Sequence, residues 1–234
     1  MMSTTAIAAS TFNFLAELKE NNHRDWFSEH KDRFKAEQAK IIDFAEQLIT
    51  EVNKFDVLEP LSGKKSLFRI YRDIRFSKDK TPYKPHFSGQ LKRATAFRRG
   101  GYYFRIAPNG NTMIAGGFFA PNANDLKRIR QEIAADPDSL RQIISAPAFI
   151  DTFGELKGEQ VKTAPRGFSK TDPAIDLLRY KQYLLIREFS DEEAMAADFL
   201  AQAAKTYQHM LPLFEYMSSI LTTDENGAPI EGLY

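Results

Sequence analysis

The chain has 234 residues, enough for one large domain or two small ones with a sizeable core. Hydrophobic residues make up 43% and charged residues 27%, which excludes the depleted composition of a disordered chain. The net charge is +1, and there is no cysteine, which excludes disulfides, zinc–thiolate sites, iron–sulfur clusters and cysteine nucleophiles.

Met1 to Ser10 has no basic region and no long apolar run, so it does not read as a secretory signal. A bacterial cytosol is the expected location. Nowhere do about 18 apolar residues follow one another, so no membrane span is expected. With 19 Phe, 9 Tyr and 1 Trp, the core should be rich in aromatic rings.

In chain order, residues 11–20 predict a short helix with Phe14, Leu15 and Leu18 on one side. Asn22 is placed to cap the element that follows. A long helix is predicted from Arg24 to Lys54, with Phe27, His30, Phe34, Gln38, Ile41, Ala45, Leu48 and Val52 spaced by threes and fours. Leu58 to Lys65 reads as a loop. The period then falls to two. Phe68, Ile70, Ile74 and Phe76 share one parity, which predicts a strand interrupted near Arg72. Thr81 to Pro85 is an extended connection, since each Pro biases its predecessor away from helix. Phe87 to Lys92 and Tyr102 to Ile106 alternate as strands. Pro108-Asn109-Gly110-Asn111 is a hairpin signal leading into a strand over Met113 to Phe119.

Pro121 opens a helical region divided at Asp136-Pro137, with a third short helix over Ala148 to Leu156. Asp172-Pro173 predicts a helix start, and Tyr183 to Phe189 predicts a strand. Ser190 to Glu193 begins a helix with carboxylates near its positive end. That last helical region runs toward Leu221, and Pro212 should kink or divide it. Consecutive strands flanked by runs of helices predict an α+β fold. The expected domain is single and spans residues 11–222, a central antiparallel sheet packed by helices from both ends. Residues 1–10 and 223–234 are expected to be loosely held termini.

Familiar chemical motifs are absent: no phosphate loop, dinucleotide fingerprint, nucleophile elbow or H-E-x-x-H. His23, His30, His86 and His209 do not pair at ligand spacing, so no metal site is expected, and nothing names a cofactor. Charge patterning is more informative. Lys64 to Arg105 holds 13 Lys or Arg against Asp73 and Asp79, a balance of +11 that leaves −10 elsewhere. A basic region attracts anionic partners, unless acidic parts of the fold neutralise it.

Within that segment charged and aromatic residues interleave from Phe68 to Lys84. Arg69 and Arg75 share a face in a regular strand with Asp73 between them, and a carboxylate there could orient an arginine fork toward an anion. Arg72, Lys78, Lys80, Tyr83 and Lys84 complete the segment. His86 alternates with Phe87 and so points away from the core, where it could exchange protons near neutral pH. Arg166, beside Gly167, could reach the same ligand or anchor its own loop. Trp26 and Phe27 read as core, and Gly116-Gly117 as backbone geometry.

The string Phe68 to Lys84 is accompanied by Phe14-Leu15 to Trp26-Phe27, Gly101-Tyr102-Tyr103, Gly116-Gly117 to Pro121, and Pro165 to Phe168. Together these resemble the bacterial family catalogued as domain of unknown function 2461, over about residues 11–222. The resemblance implies a single α+β domain in a cytosolic bacterial protein and implies no activity.

Three functions fit the residues. The first is a binding module for an anionic ligand, a phosphate-bearing small molecule or a nucleic acid. The second is an enzyme on a phosphorylated or carboxylated substrate, with the arginines clamping it and Asp73, Asp79, Tyr83 or His86 moving protons. The third is a structural or interaction protein whose arginines only hold the fold.

Overall fold

The computed structural model describes residues 6–224 and 228–230; the remaining parts of the two expected loose termini lie outside the described residues. Helices α1 (Ala9–Glu20), α2 (Arg24–Glu29), α3 (Lys31–Val52) and α4 (Gly63–Ser66) precede the sheet. The single long helix expected from Arg24 to Lys54 is broken at His30, whose backbone leaves helical geometry at φ −102°, ψ 15°. The His30 ring stacks on Trp26 at 4.0 Å and its Nδ1 donates to the Trp26 carbonyl, so that carbonyl is satisfied at a helix end. The expected cap also differs. His23 accepts from the Trp26 N–H as the cap of α2, while Asn22 is turned to Tyr83.

Strands β1 (Phe87–Lys92), β2 (Gly101–Ile106), β3 (Thr112–Phe118) and β4 (Tyr183–Phe189) form one antiparallel sheet in the order β1-β2-β3-β4. Asn109 and Gly110 both take positive φ in the β2–β3 turn, the geometry that two-residue hairpins demand. The segment Phe68 to Phe76, expected as a strand, is an irregular arm instead. Its opposite limb carries Pro82 and Pro85, which lack the N–H a ladder needs. Pairing is reduced to isolated bridges, Leu67 with Gly89 and Tyr71 with Tyr83. Of the apolar parity read there, Ile70 is buried, while Phe68 and Phe76 are exposed.

Between β3 and β4 lie α5 (Ala123–Ala135), α6 (Pro137–Ser145), α7 (Pro147–Phe153) and α8 (Ile175–Leu178). Asp172 caps a turn by accepting from the Ala174 N–H, so the helix expected at Asp172-Pro173 shrinks to one turn. After β4 come α9 (Asp191–Met195), α10 (Phe199–Gln208) and α11 (Leu211–Thr222). Ser190 and Glu193 close a reciprocal capping box at α9. The last helical region is thus divided by Pro212, as expected, and also by an extended Ala196.

Internal contacts group the chain into two compact units. The first comprises Met1–Leu91, Tyr103–Ile114 and Glu188–Lys205. Phe14, Leu15, Leu18, Ile41, Phe44, Phe104, Phe189 and Phe199 are buried in it, and the Phe44 ring lies flat on Phe199 at 5.5 Å. The second comprises Lys92–Tyr102, Ala115–Arg187 and Thr206–Tyr234. Its core gathers Tyr102, Ile129, Ile133, Tyr183, Tyr207 and Phe214. Gly117, at φ +136°, passes so near the Tyr183 carbonyl that a Cβ would sit 2.1 Å from it, which fits the reading of this pair as backbone geometry.

Candidate functional site

The irregular arm is fixed by its own charges. Asp79 accepts from Arg72 and from the backbone and hydroxyl of Thr81, and the Arg72 guanidinium also donates to that hydroxyl. The Thr81 N–H, then Arg72 and the hydroxyl, pull the Asp79 carboxyl down to about 2. Asp73 grips Arg75 through two oxygens, from Nε at 2.9 Å and Nη2 at 2.6 Å, so one edge of that guanidinium is occupied by the carboxylate. The Lys80 ammonium donates to the Ile74 carbonyl at 2.9 Å, and Lys84 to the Arg69 carbonyl at 3.0 Å. Tyr83 is buried against Phe27, ring on ring at 4.0 Å, and burial raises its phenol. Much of the arm's charge is therefore spent on shaping it. The Arg69 guanidinium and the Lys78 ammonium are exposed and hold no partner among the described residues.

Just beyond the arm the first unit opens a cleft of about 200 Å³. Lys19 from the last turn of α1, Pro85 and His86 before β1, Arg105 from β2, and Ala107, Pro108, Asn109 and Asn111 from the hairpin line it. The alternation of β2 buries Tyr102, Phe104 and Ile106 and so turns Arg105 to the face that His86 shares. Arg105 Nε donates to the Asn111 carbonyl at 2.9 Å, which leaves its two terminal nitrogens for a ligand. The Lys19 ammonium and the His86 imidazole make no hydrogen bond among the described residues. Among the described residues no Asp or Glu lines the cleft. Burial, then Arg105 and Lys84, push the His86 pKa down to about 4, so at neutral pH the imidazole is uncharged in a positive field.

The hairpin above the cleft has its own anion. The Asp191 carboxylate, in the first turn of α9, accepts from the Asn109 N–H at 2.8 Å and the Gly110 N–H at 2.9 Å. Two successive amides in left-handed conformation form a concave anion seat, and here the chain fills it itself.

A family model described as "Conserved hypothetical protein (DUF2461)" matches residues 10–216, which include the arm and every residue of the cleft. The chain belongs to the DUF2461 family. No curated protein and no solved structure matches it.

Of the residues singled out in this DUF2461 sequence, His86 reaches the cleft and Lys84 lies close enough to influence it electrostatically. Arg69, Arg72, Asp73, Arg75, Lys78, Lys80 and Tyr83 belong to the arm, and Arg166 lies exposed in a turn of the second unit, where the Phe168 N–H bonds to the Pro165 carbonyl. Lys19, Arg105, Asn109 and Asn111 were not singled out as site residues by sequence, although Asn109 and Asn111 belong to the hairpin signal. Arg105 carried a readable signal, since a cation alternating with three apolar residues must face away from the core. Lys19 carried none, as it lies more than sixty residues away along the chain. Other cations of the basic segment are structural in the second unit: Arg93 is buried and donates to the Arg99 carbonyl, and Arg99 pairs with Asp125. Among the described residues no three His, Asp or Glu side chains cluster as a metal site requires, and no helix is long and apolar enough to cross a membrane.

Proposed function

We propose that this protein is a binding module for a phosphate-bearing ligand held in the cleft of Lys19, His86 and Arg105. The observation that carries this reading is the cleft's lining: two cations and an uncharged imidazole, with no carboxylate and with donors left unspent. Paired guanidinium nitrogens match two oxygens of a phosphate, the Lys19 ammonium adds a point charge, and the His86 imidazole supplies an N–H. Binding is favoured over catalysis because the other proton carriers near the basic segment are committed elsewhere. Asp73 serves Arg75, Asp79 serves Arg72 and Thr81, and Tyr83 is buried in a ring stack.

The test is a thermal-shift panel of inorganic phosphate, phosphate esters and nucleotides, run beside an NMR titration of the His86 ring. A ligand at about 100 times its Kd adds about 2.7 kcal/mol of stability, a rise of several degrees for a chain this size. Phosphate should raise the His86 pKa, because the anion stabilises the imidazolium. Lys19→Ala should weaken the effect without loss of fold, its side chain being exposed and unpaired, and Arg105→Ala should weaken it further. An unmoved melting temperature and an unmoved His86 resonance with every phosphate compound would refute the reading.

A further inference from the structure

Resting on the phosphate cleft just described, we infer that the ligand is a single-stranded nucleic acid whose bases stack on the exposed rings of the arm. Phe68, Tyr71 and Phe76 are 43%, 58% and 96% exposed. Phe76 stands almost wholly in water, and Phe68 and Tyr71 each show about half of their surface, an aromatic exposure on one short arm that fits a binding surface. Two of the three are accompanied by a cation. The Lys84 ammonium lies 5.8 Å from the centre of Phe68, and the Arg75 guanidinium 5.9 Å from that of Phe76. A flat ring with a cation at its side is a unit that holds one unpaired base; Lys84 can also meet the phosphate, whereas Arg75 is paired with Asp73 and only flanks its ring.

Tyr71 adds a different device. Phe27 and Tyr83 are stacked 4.0 Å apart, and the exposed Tyr71 ring packs against the side of that pair, 5.4 Å from Tyr83 and edge-on to Phe27 at 6.3 Å. A base laid on Tyr71 would rest on a ring that two core aromatics already hold from the other side. The Tyr71–Tyr83 bridge and the Arg72–Asp79 pair fix the ring in place, so little ordering cost remains at binding.

The platform also joins the cleft. Lys84 influences His86 electrostatically and lies over Phe68, whose ring is 6.4 Å from Tyr103. Tyr103 stands two residues before Arg105 on the same face of β2. Of the three rings, Phe68 is thus the one tied to the cleft, through Tyr103 and Lys84. One mononucleotide cannot occupy three separate rings. A lipid surface fits less well, because Arg69, Arg72, Asp73 and Arg75 interrupt the rings where an inserting surface would be continuous and apolar.

The experiment is fluorescence anisotropy with labelled oligothymidylate and oligouridylate of about 15 nucleotides, at low and at physiological salt. Duplex DNA, AMP and phosphatidylserine vesicles are the comparisons. Wild type should bind the single strands more tightly than any of these and lose affinity steeply as salt rises. Phe76→Ala and Phe68→Ala should each weaken binding about five- to a hundredfold, with the melting temperature held, since both rings are exposed. Equal binding by these variants, tighter binding of duplex or vesicles, or AMP binding as tightly as the strand would overturn the inference. If inorganic phosphate moves the His86 resonance while oligonucleotides fail to bind, the nucleic-acid inference falls and the phosphate cleft stands. If phosphate too leaves His86 unmoved, both fall.

Discussion

The Asn22 carboxamide satisfies both backbone groups of Tyr83, donating to its carbonyl at 2.9 Å and accepting from its N–H at 3.1 Å. The two residues are 61 apart in sequence, and the pair fastens the arm to the corner between α1 and α2. Asn22→Ala leaves two partly buried backbone groups without partners, which costs about 1–3 kcal/mol. Asn22→Asp keeps the acceptor and loses the donor, so it should fall between wild type and Ala in urea melts. Equal stability of all three proteins would show that water replaces the carboxamide freely.

Gly89 crosses beneath Phe104. A Cβ there would lie 2.5 Å from the ring's Cζ and 3.0 Å from the Ser66 carbonyl. Gly89→Ala should therefore cost about 1–3 kcal/mol by overpacking. Because the closest atoms belong to the ring, the same substitution should cost less in a Phe104→Leu background. Denaturant melts of the four proteins of that cycle measure the coupling.

Asp79 gives the arm a pH dependence of known sign. Its carboxyl is held at about 2, first by the Thr81 N–H and then by Arg72 and the Thr81 hydroxyl. The unfolded value is about 3.9. A depressed acid contributes fully above the unfolded value and loses its contribution as pH falls through the folded one. Protection of the Thr81 amide from exchange should accordingly hold down to about pH 4 and fade toward pH 2. Asp79→Asn should remove that titration.

The strands β1 to β4, the Asn-Gly hairpin, the capping box at Ser190 and the division at Pro212 were legible because each rests on local chemistry: alternation, a turn that needs positive φ, a side chain that caps, a missing N–H. His30 was read as an ordinary member of a helical stripe because sequence does not say that its ring will stack on Trp26. The arm carried a true period of two, yet a strand also needs a partner able to donate, and Pro82 and Pro85 cannot. The basic segment contains the arm and Arg105 of the cleft. It could not separate cations consumed by Asp73 and Asp79 from those left open, and the cleft draws on Lys19, which no local pattern connects to His86.

His86 should make the protein less stable in mild acid. Burial, Arg105 and Lys84 depress its pKa to about 4, against about 6.5 when unfolded. Between those values the unfolded chain binds more protons, so stability is complete above about pH 6.5 and falls as pH drops toward 4. Thermal melts should follow that slope, and His86→Gln should flatten it. Saturating phosphate should flatten it too in the wild type, by compensating Arg105 and Lys84.

The Asp191 carboxylate that sits on the Asn109 and Gly110 amides acts as a built-in competitor. It fills with the chain's own carboxylate a seat of two amides that a free anion would otherwise find open. The hairpin thus consumes two of its own donors internally, and α9 is tied to the β2–β3 turn by the same carboxylate.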